Sequence, residues 1–342
     1  MGDVYPKLKV AALHVASPFL DRDACVEKCC RLIGEAAAQG AQLIVFPETF
    51  IPGYPFWIWT HTPATGGEFF FELFANSVEV GSDATRAIGE AARKAGAYVV
   101  VGISERDGGT LYNTMLYFDD NGDIVGRHRK LQPTCVERTV WGRGDGSGLR
   151  VIETPFGKLG GLICWEHSMD LARYALTSQG EQIHIAMWPA GSALSHDPSS
   201  GVFDDLSEAA ARHHAAAGQC FVINVQSRID KATLERLGFT DQPEMMREGG
   251  GWSAIVGPFG NIIEGPHRDD EKMLVAEIDL ADIAKFKYVS DSAGHYARPD
   301  VLRLAVDYRA KPISMPFEDG PELPGAETAW PLRGDYGKTD GE

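Results

Sequence analysis

Cysteine is scarce in this sequence, and long apolar runs are missing from it. Six cysteines among 342 residues are too few for the disulfide framework of a small secreted domain. No segment approaches the roughly 20 consecutive apolar residues that a membrane-spanning helix needs. The first residues also lack a basic stretch followed by an apolar run, so no secretory signal peptide is visible. These absences predict a reduced protein of the cytoplasm.

Basic residues are outnumbered by acidic ones. The chain has 32 Lys and Arg residues against 48 Asp and Glu residues, which gives a formal net charge of −16. Nucleic acids and anionic membrane surfaces attract basic proteins, so this balance argues against both as partners. The hydrophobic share of 44% and the charged share of 23% are typical of globular domains, which excludes a disordered or fibrous chain.

The apolar pattern predicts an α/β fold. A strand over 8–15, a helix over 21–39 and a strand over 43–46 form a unit whose strands are expected to pair in parallel. The Asn121-Gly122 pair indicates a hairpin, so the sheets should be mixed. Further helices are predicted over 83–95, 169–178 and 203–217, and further strands over 98–104, 111–118, 124–127, 158–163, 183–188, 221–225, 252–256 and 274–278.

The periodic pattern weakens from about residue 291. Six prolines between positions 299 and 331 exclude long regular elements there. We therefore predict a single domain over 1–290 and a Pro- and Gly-rich arm over 291–342. The arm is expected to take part in contacts between subunits, and its last residues, 334–342, are expected to be disordered.

Several familiar ligand motifs are incomplete or absent. No G-x-G-x-x-G follows a strand, no G-x-S-x-G is present, and Leu332 stands where a phosphate loop ending in 337–339 would need its first glycine. The pair Cys164 and His167 resembles half of a zinc site but has no second half with suitable spacing. No cofactor and no metal is therefore predicted, and the adjacent His213 and His214 are interpreted as an ordinary helix face.

Three chemically reactive side chains lie at the ends of predicted strands: Glu48, Lys130 and Cys164. In open α/β sheets, sites form outside the carboxyl ends of strands. Taken alone, each residue has an ordinary interpretation, as an exposed glutamate, a solvated lysine or a buried packing cysteine. Together, three complementary reactive groups at three strand ends predict an active site.

The chemistry of these three groups is mutually consistent. A cysteine attacks as its thiolate, a glutamate can take the thiol proton, and a lysine can stabilise a developing anion. Burial of Glu48 among the aromatic residues of the irregular segment 47–67 would raise its pKa, as a general base requires. A helix is predicted to start just after Cys164, and its N-terminus is expected to lower the thiol pKa.

These residues lie in motifs that resemble the nitrilase (carbon–nitrogen hydrolase) superfamily. The motifs are Phe46-Pro47-Glu48, His128-Arg129-Lys130-Leu131-x-Pro133-Thr134 and Gly161-x-x-Cys164-Trp165-Glu166. Four others resemble its true nitrilase branch: Ile51-Pro52-Gly53-Tyr54-Pro55, Val136-Glu137-Arg138-Thr139-x-Trp141, Trp188-Pro189-Ala190 and Gly294-His295-Tyr296-x-Arg298-Pro299-Asp300. The resemblance covers about residues 7–308.

The resemblance implies a four-layer α-β-β-α sandwich with two mixed sheets, and subunits that associate as dimers and often as longer spirals. It implies that Glu48 is the general base, Lys130 the transition-state stabiliser and Cys164 the nucleophile. Glu137 matches a second glutamate that helps to hold the lysine and to orient water. The backbone N–H of Trp165 is expected to face the developing anion.

Some assignments stay open at this point. Tyr54, Trp165 and Trp188 are predicted to line the substrate pocket, but plain core packing is an equal alternative. Glu137 has the alternative of an exposed or salt-bridged carboxylate. The segment from His167 departs from the pattern frequent in the family, which leaves the substrate preference open. His128 is assigned no role.

The predicted reaction is hydrolysis of an organic nitrile to a carboxylic acid and ammonia, through a thioimidate and then a thioester on the cysteine. A cyanide-degrading hydratase or dihydratase, or an aliphatic amidase, would use the same three residues and is the alternative. A filament-forming relative without activity is a third hypothesis, which the presence of all three reactive residues disfavours. The sequence leaves open whether the substrate is aromatic, arylaliphatic or aliphatic.

Overall fold

The computed structural model describes residues 4–194 and 202–311. Its strands are β1 (Lys7–His14), β2 (Leu43–Val45), β3 (Tyr98–Asp107), β4 (Thr110–Phe118), β5 (Ile124–Arg129), β6 (Ile152–Thr154), β7 (Gly157–Ile163), β8 (Ile183–Trp188), β9 (Phe221–Gln226), β10 (Ser253–Val256), β11 (Ile262–His267) and β12 (Lys272–Asp279). Its α-helices are α1 (Arg22–Ala38), α2 (Gly67–Asn76), α3 (Asp83–Ala95), α4 (Asp170–Ser178), α5 (Val202–Gly218), α6 (Lys231–Leu237) and α7 (Ala281–Lys287).

The strands form two six-stranded sheets with the same plan. The first has the order β12-β1-β2-β3-β4-β5, and the second has the order β11-β10-β9-β8-β7-β6. In each sheet the three central strands, β1-β2-β3 and β7-β8-β9, are parallel, and the outer strands pair antiparallel. The sheets are therefore mixed, as the hairpin signal at residues 121–122 predicted.

Side-chain alternation along the strands separates the layers of the molecule. On β1, Val10 and Ala12 belong to the core that the two sheets share, whereas Ala11 and Leu13 pack with α1 and α3 on the outer face. On the second sheet, Leu162 of β7 packs outward against α4. The layers are thus α, β, β and α, which confirms the predicted four-layer sandwich.

Helix ends follow local sequence signals where those signals are strong. The Asp21 side chain accepts a hydrogen bond from the Ala24 N–H and caps α1, and α3 ends at Gly96, whose left-handed φ of 60° suits glycine. The predicted span 83–95 coincides with α3. By contrast, α2 was not predicted, because the consecutive Phe69, Phe70 and Phe71 obscure the helical spacing of the apolar residues in this segment.

The arm predicted over 291–342 is described only as far as residue 311. Its first part packs on the domain, because Ser292 N–H donates to Gln219 Oε1 at 3.2 Å and the Tyr308 ring lies under the Arg150 guanidinium at 3.9 Å. A separate arm with a role between subunits stays a prediction, and the predicted disorder at 334–342 lies outside the described residues. No helix within the described ranges has both the length and the hydrophobicity of a membrane span.

Candidate active site

The Lys130 ammonium lies between two buried carboxylates. Lys130 follows β5, and its Nζ donates to Oε1 of Glu48 at 2.9 Å and to Oε2 of Glu137 at 2.8 Å. All three side chains are at most 1% exposed. Glu137 is therefore an interior residue that touches the lysine, and the alternative of an exposed Glu137 is wrong.

The loop that carries Glu48 follows β2 and lies directly against β3. A Cβ at Gly102 of β3 would come within 2.4 Å of the Pro47 carbonyl oxygen, so a glycine is needed there. Oε1 of Glu48 also accepts a hydrogen bond from Asn113 Nδ2 at 2.6 Å. Its other oxygen, Oε2, is buried and has no hydrogen-bond partner among the described residues. One oxygen is thus fixed, and the other is free to take a proton.

Cys164 directly follows β7 and begins a short 3₁₀ helix, Cys164–Ser168. The cysteine is 1% exposed and has a φ of +53°. Thr49, next to Glu48, and Cys135, near Glu137, also have positive φ values of 42° and 47°. Such non-glycine conformations cost about 1–3 kcal/mol each and cluster at active sites, where the surrounding structure maintains them.

The buried charges shift the acidities of the three predicted catalytic groups. Burial raises the pKa of Glu48 to about 7; the Lys130 ammonium lowers it and the Glu137 charge raises it. Although burial opposes the charged form, the Glu137 and Glu48 carboxylates raise the pKa of Lys130 well above its ordinary value. Glu48 is thus ready to gain or lose a proton near neutral pH, while Lys130 stays charged.

The Cys164 thiol differs from the prediction. Burial and the Glu48 charge raise the pKa of this thiol well above its ordinary value, against the lowering by Lys130 and by a hydrogen bond from the Trp165 N–H. The N–H at the helix start lowers the thiol pKa as expected, but burial and the nearby carboxylates outweigh this contribution, so the net shift is upward. The resting thiol is therefore neutral and needs a base at the moment of attack.

Glu166 holds the lysine loop and the cysteine turn together. Its Oε1 accepts from the Leu131 N–H at 2.7 Å, and its Oε2 accepts from the Ile163 N–H at 2.7 Å. His128 Nε2 bonds the same carboxylate at 3.0 Å. Leu131 follows Lys130 and Ile163 precedes Cys164, so this carboxylate sets the spacing between the two.

Sequence reasoning missed these supporting residues. His128 was assigned no role, and neither Glu166 nor Asn113 was singled out for one. A signal existed for Asn113, which is a polar residue inside an apolar strand, β4. Glu166 was visible only as part of the Cys-Trp-Glu motif, and the backbone groups it binds become apparent only once the strands are paired.

A cavity of about 310 Å³ opens onto Cys164. Its walls are mostly aromatic or apolar and include one carboxylate: Tyr54, Trp59, Glu137, Cys164, Trp165, Pro189, Gly191, Leu194 and Phe203. The Tyr54 hydroxyl donates to Oε1 of Glu137 at 2.8 Å, so this tyrosine both lines the cavity and orients the second glutamate. Trp165 lines the cavity as predicted and is 37% exposed.

Trp188 is not among the described residues that line the cavity at Cys164. Its indole N–H donates to Asn224 Oδ1 at 2.8 Å, and its ring stacks on His167 at 4.9 Å. It lines a neighbouring cavity of about 250 Å³ together with Trp165 and Phe203. Direct contact of Trp188 with substrate stays a prediction.

A second cluster of buried titratable side chains has the spacing of metal ligands. Among the described residues, Glu181, His184 and His214 place one ligand atom each within 4.8 Å of the others. His214 is therefore buried in this cluster, so its interpretation as an ordinary helix face is wrong.

Known proteins resemble this chain over most of its length. The family model described as carbon-nitrogen hydrolase matches residues 9–288. A nitrilase from Bacillus sp. (strain OxB-1) is 41% identical over 323 residues, which cover 93% of this chain and 94% of the relative. A nitrilase from Pseudomonas syringae pv. syringae (strain B728a) is 43% identical over 319 residues, with coverages of 93% and 94%.

A similar fold is found among solved structures. The crystal structure of a carbon-nitrogen hydrolase from Helicobacter pylori G27 superposes with a TM-score of 0.66, covering 83% of this chain and 92% of that one. The sequence identity is 21%, so this likeness concerns the fold alone.

Proposed function

The chain belongs to the carbon–nitrogen hydrolase family and to its nitrilase branch, and on that premise we propose that Cys164, Lys130, Glu48 and Glu137 hydrolyse an organic nitrile to a carboxylic acid and ammonia. The observation that carries the residue roles is the buried ion triplet, in which one ammonium contacts two carboxylates beside a cavity that reaches the cysteine. Burying these three charged groups costs free energy, and buried groups with perturbed pKa values are concentrated at functional sites.

The first chemical step forms a carbon–sulfur bond. The thiol proton moves to Glu48 as the Cys164 sulfur attacks the nitrile carbon, because the neutral thiol is a weak nucleophile. The C≡N π electrons move to nitrogen, where the Lys130 ammonium and the Trp165 N–H stabilise the developing anion. Nitrogen takes up the proton, and the product is a thioimidate on the cysteine.

Water then replaces nitrogen in two stages. Glu48 takes a proton from a water molecule that adds to the thioimidate carbon, and the resulting tetrahedral intermediate is protonated at nitrogen and expels ammonia. The thioester that remains reacts with a second water molecule in the same way and releases the carboxylic acid and the free thiol. If the tetrahedral intermediate expels the thiol instead, an amide leaves as product.

A substrate panel tests the reaction. We expect the wild-type protein to convert benzonitrile, phenylacetonitrile and a dinitrile to acid and ammonia, identified by mass spectrometry and an ammonia assay, whereas Cys164→Ala stays folded and converts none. Hydrolysis of benzamide alone would indicate an amidase. Turnover of cyanide alone would indicate a cyanide-degrading enzyme.

The cavity supports neutral substrates. Its described lining contains no lysine or arginine, and the one charged wall residue is Glu137. A carboxylate on the substrate would therefore be buried near a like charge, at a cost of several kcal/mol. We expect kcat/KM for 4-cyanobenzoate to be at least about 100-fold below that for 4-methylbenzonitrile, and comparable values would contradict this substrate class.

Self-association and a cytoplasmic location complete the proposal. Leu171 of α4 is 69% exposed and Leu206 of α5 is 42% exposed, which supports an interface between copies of the chain on these helices. Light scattering on a sizing column should show a dimer or a larger assembly for the wild type. The Leu171→Arg substitution should reduce the mass of this assembly. A monomeric wild-type protein would contradict the proposed interface.

A further inference from the structure

A continuous line of buried hydrogen bonds ends at the backbone of the nucleophile. His214 Nε2 bonds Glu181 Oε2 at 2.9 Å, and Glu181 Oε1 bonds His184 Nδ1 at 2.8 Å. His184 Nε2 bonds His167 Nε2 at 2.9 Å, and His167 Nδ1 reaches the Cys164 carbonyl oxygen at 2.7 Å. The four side chains are at most 4% exposed, and the mechanism above uses none of them.

The positions of the protons in this line follow from its two ends. A carbonyl oxygen only accepts, so His167 Nδ1 carries a proton and donates it to the Cys164 carbonyl. Burial and the neighbouring His184 lower the pKa of His167 well below its ordinary value, so the ring is neutral and its Nε2 accepts. His184 must then donate from Nε2 to His167 and from Nδ1 to the Glu181 carboxylate.

The neighbouring acidities are consistent with this order. Although burial opposes the charged form, the bonds from His184 and His214 lower the pKa of Glu181 to about 2. Burial and His184 lower the pKa of His214 to about 4, so its ring is neutral. The line therefore contains one buried ion pair, His184 with Glu181, and a neutral His167 whose tautomer that pair fixes.

The bonded carbonyl belongs to the same peptide group as a catalytic donor. The Cys164 C=O and the Trp165 N–H lie on opposite sides of one planar peptide bond, so fixing the carbonyl also fixes the direction of the N–H. That N–H bonds the cysteine sulfur in the resting protein and is proposed to face the developing anion. A hydrogen bond to the carbonyl also makes the N–H a stronger donor.

We propose that His167 is a positioning residue of the nitrile hydrolase site, held by the His184–Glu181 ion pair, and that its hydrogen bond to the Cys164 carbonyl orients the Trp165 N–H. This inference rests on the proposed function. Loss of the hydrogen bond lets the peptide rotate, so the transition state loses a donor while the cavity walls keep their shape.

The three residues with metal-ligand spacing, Glu181, His184 and His214, belong to this line of hydrogen bonds. Each atom that would bind an ion already takes part in one of the hydrogen bonds of this line. The proton order above requires a proton on both ring nitrogens of His184, and a bound ion would displace the one on Nδ1. Stoichiometric zinc in the purified protein, measured by elemental analysis, would therefore overturn the proposed order.

The test compares His167→Leu with His167→Asn. The two side chains have nearly the same size and both lose the stack on Trp188, but only asparagine places an N–H donor where Nδ1 lies. We expect His167→Leu to lower kcat by about 100-fold, the scale of a 1 Å misplacement, with little change in KM. His167→Asn should recover most of this loss. His14→Leu, which removes a buried histidine bonded to Ser253 Oγ at 2.8 Å, serves as the matched stability control.

Two results would overturn the inference. One is an equal kcat for the His167→Leu and His167→Asn variants. The other is a decrease in kcat for His167→Leu no larger than the decrease for His14→Leu, compared at equal folded fraction. The rate at which iodoacetamide alkylates Cys164, followed by peptide mass spectrometry, gives a second readout that needs no nitrile turnover. It should fall in His167→Leu and recover in His167→Asn. A wild-type protein that hydrolyses no nitrile contradicts the proposed function, while the alkylation rates still decide the positioning role.

Discussion

The substitution Glu48→Gln is expected to abolish activity and to stabilise the fold. The glutamine side chain resembles the protonated form of the native glutamate, and its carbonyl oxygen can still accept from Lys130 and Asn113, which both bond Oε1 of Glu48. The variant cannot take a proton from the Cys164 thiol. It also never has to bury a second negative charge beside Glu137, which the wild-type protein does at alkaline pH.

The size of the stabilisation follows from the pKa of Glu48. Burial raises it from 4.5 to about 7, so the folded protein holds a proton that the unfolded chain releases between these two values. Stability from this group is therefore full below pH 4.5 and falls as the pH rises to 7. At about 1.4 kcal/mol for each pH unit, the deficit above pH 7 is about 3 kcal/mol, or about 5 °C in Tm for a chain of this length.

Urea unfolding at pH 5 and pH 8 measures this difference, since titrating groups outside the active site affect both proteins alike. We expect Glu48→Gln and the wild type to differ little at pH 5, and the variant to be more stable by about 3 kcal/mol at pH 8. Glu181→Gln is the matched control. Its carboxylate is equally buried, but its pKa is lowered to about 2, so the same substitution should destabilise by a similar amount at pH 8.

Either of two stability results would contradict this expectation. A Glu48→Gln variant that is less stable than the wild type at pH 8, or whose stability difference is the same at both pH values, would show that the buried carboxylate is not destabilising. Destabilisation of the Glu48→Gln and Glu181→Gln variants by similar amounts would show that loss of hydrogen bonding, and not charge, governs both sites.

Three further expectations concern rate and stability. Because Glu48 must be ionised to accept the thiol proton, kcat/KM should rise with pH through about 7 and then level off, and a rate that is flat from pH 6 to 8 would contradict its role as the base. Lys130→Met should remove activity and lower the free energy of unfolding in urea by about 3–5 kcal/mol at pH 8. The decrease should be smaller at pH 5, because the unpaired carboxylates can take up protons there. Equal decreases at the two pH values would argue against the ion triplet. In Glu166→Gln, an amide N–H₂ group faces one of the two backbone N–H groups that the carboxylate binds. We therefore expect kcat to be at least about tenfold lower, with KM little changed. A normal kcat would show that this carboxylate does not fix the spacing between Lys130 and Cys164.

The fold and the reactive trio were accessible from the amino-acid sequence. Apolar periodicity is local, so it located most strands and α3, and the Asn-Gly signal correctly indicated mixed sheets. Glu48, Lys130 and Cys164 were recognised because each lies within a few residues of the end of a strand. The strand-end rule applies within one sheet, whereas β7 lies in the other sheet from β2 and β5, so the expectation that the three groups meet also needed the family motifs.

The supporting network and the sign of the thiol pKa shift were decided only by the tertiary structure. Glu166 binds backbone groups in two separate segments of the chain, and the line from His214 to Cys164 joins residues 50 positions apart. The protonation of the Cys164 thiol depends on burial and on the Glu48 and Glu137 carboxylates, which come from other segments of the chain. Burial and electrostatic interactions depend on every group near a residue in the folded protein, and a local sequence pattern does not show which groups those are.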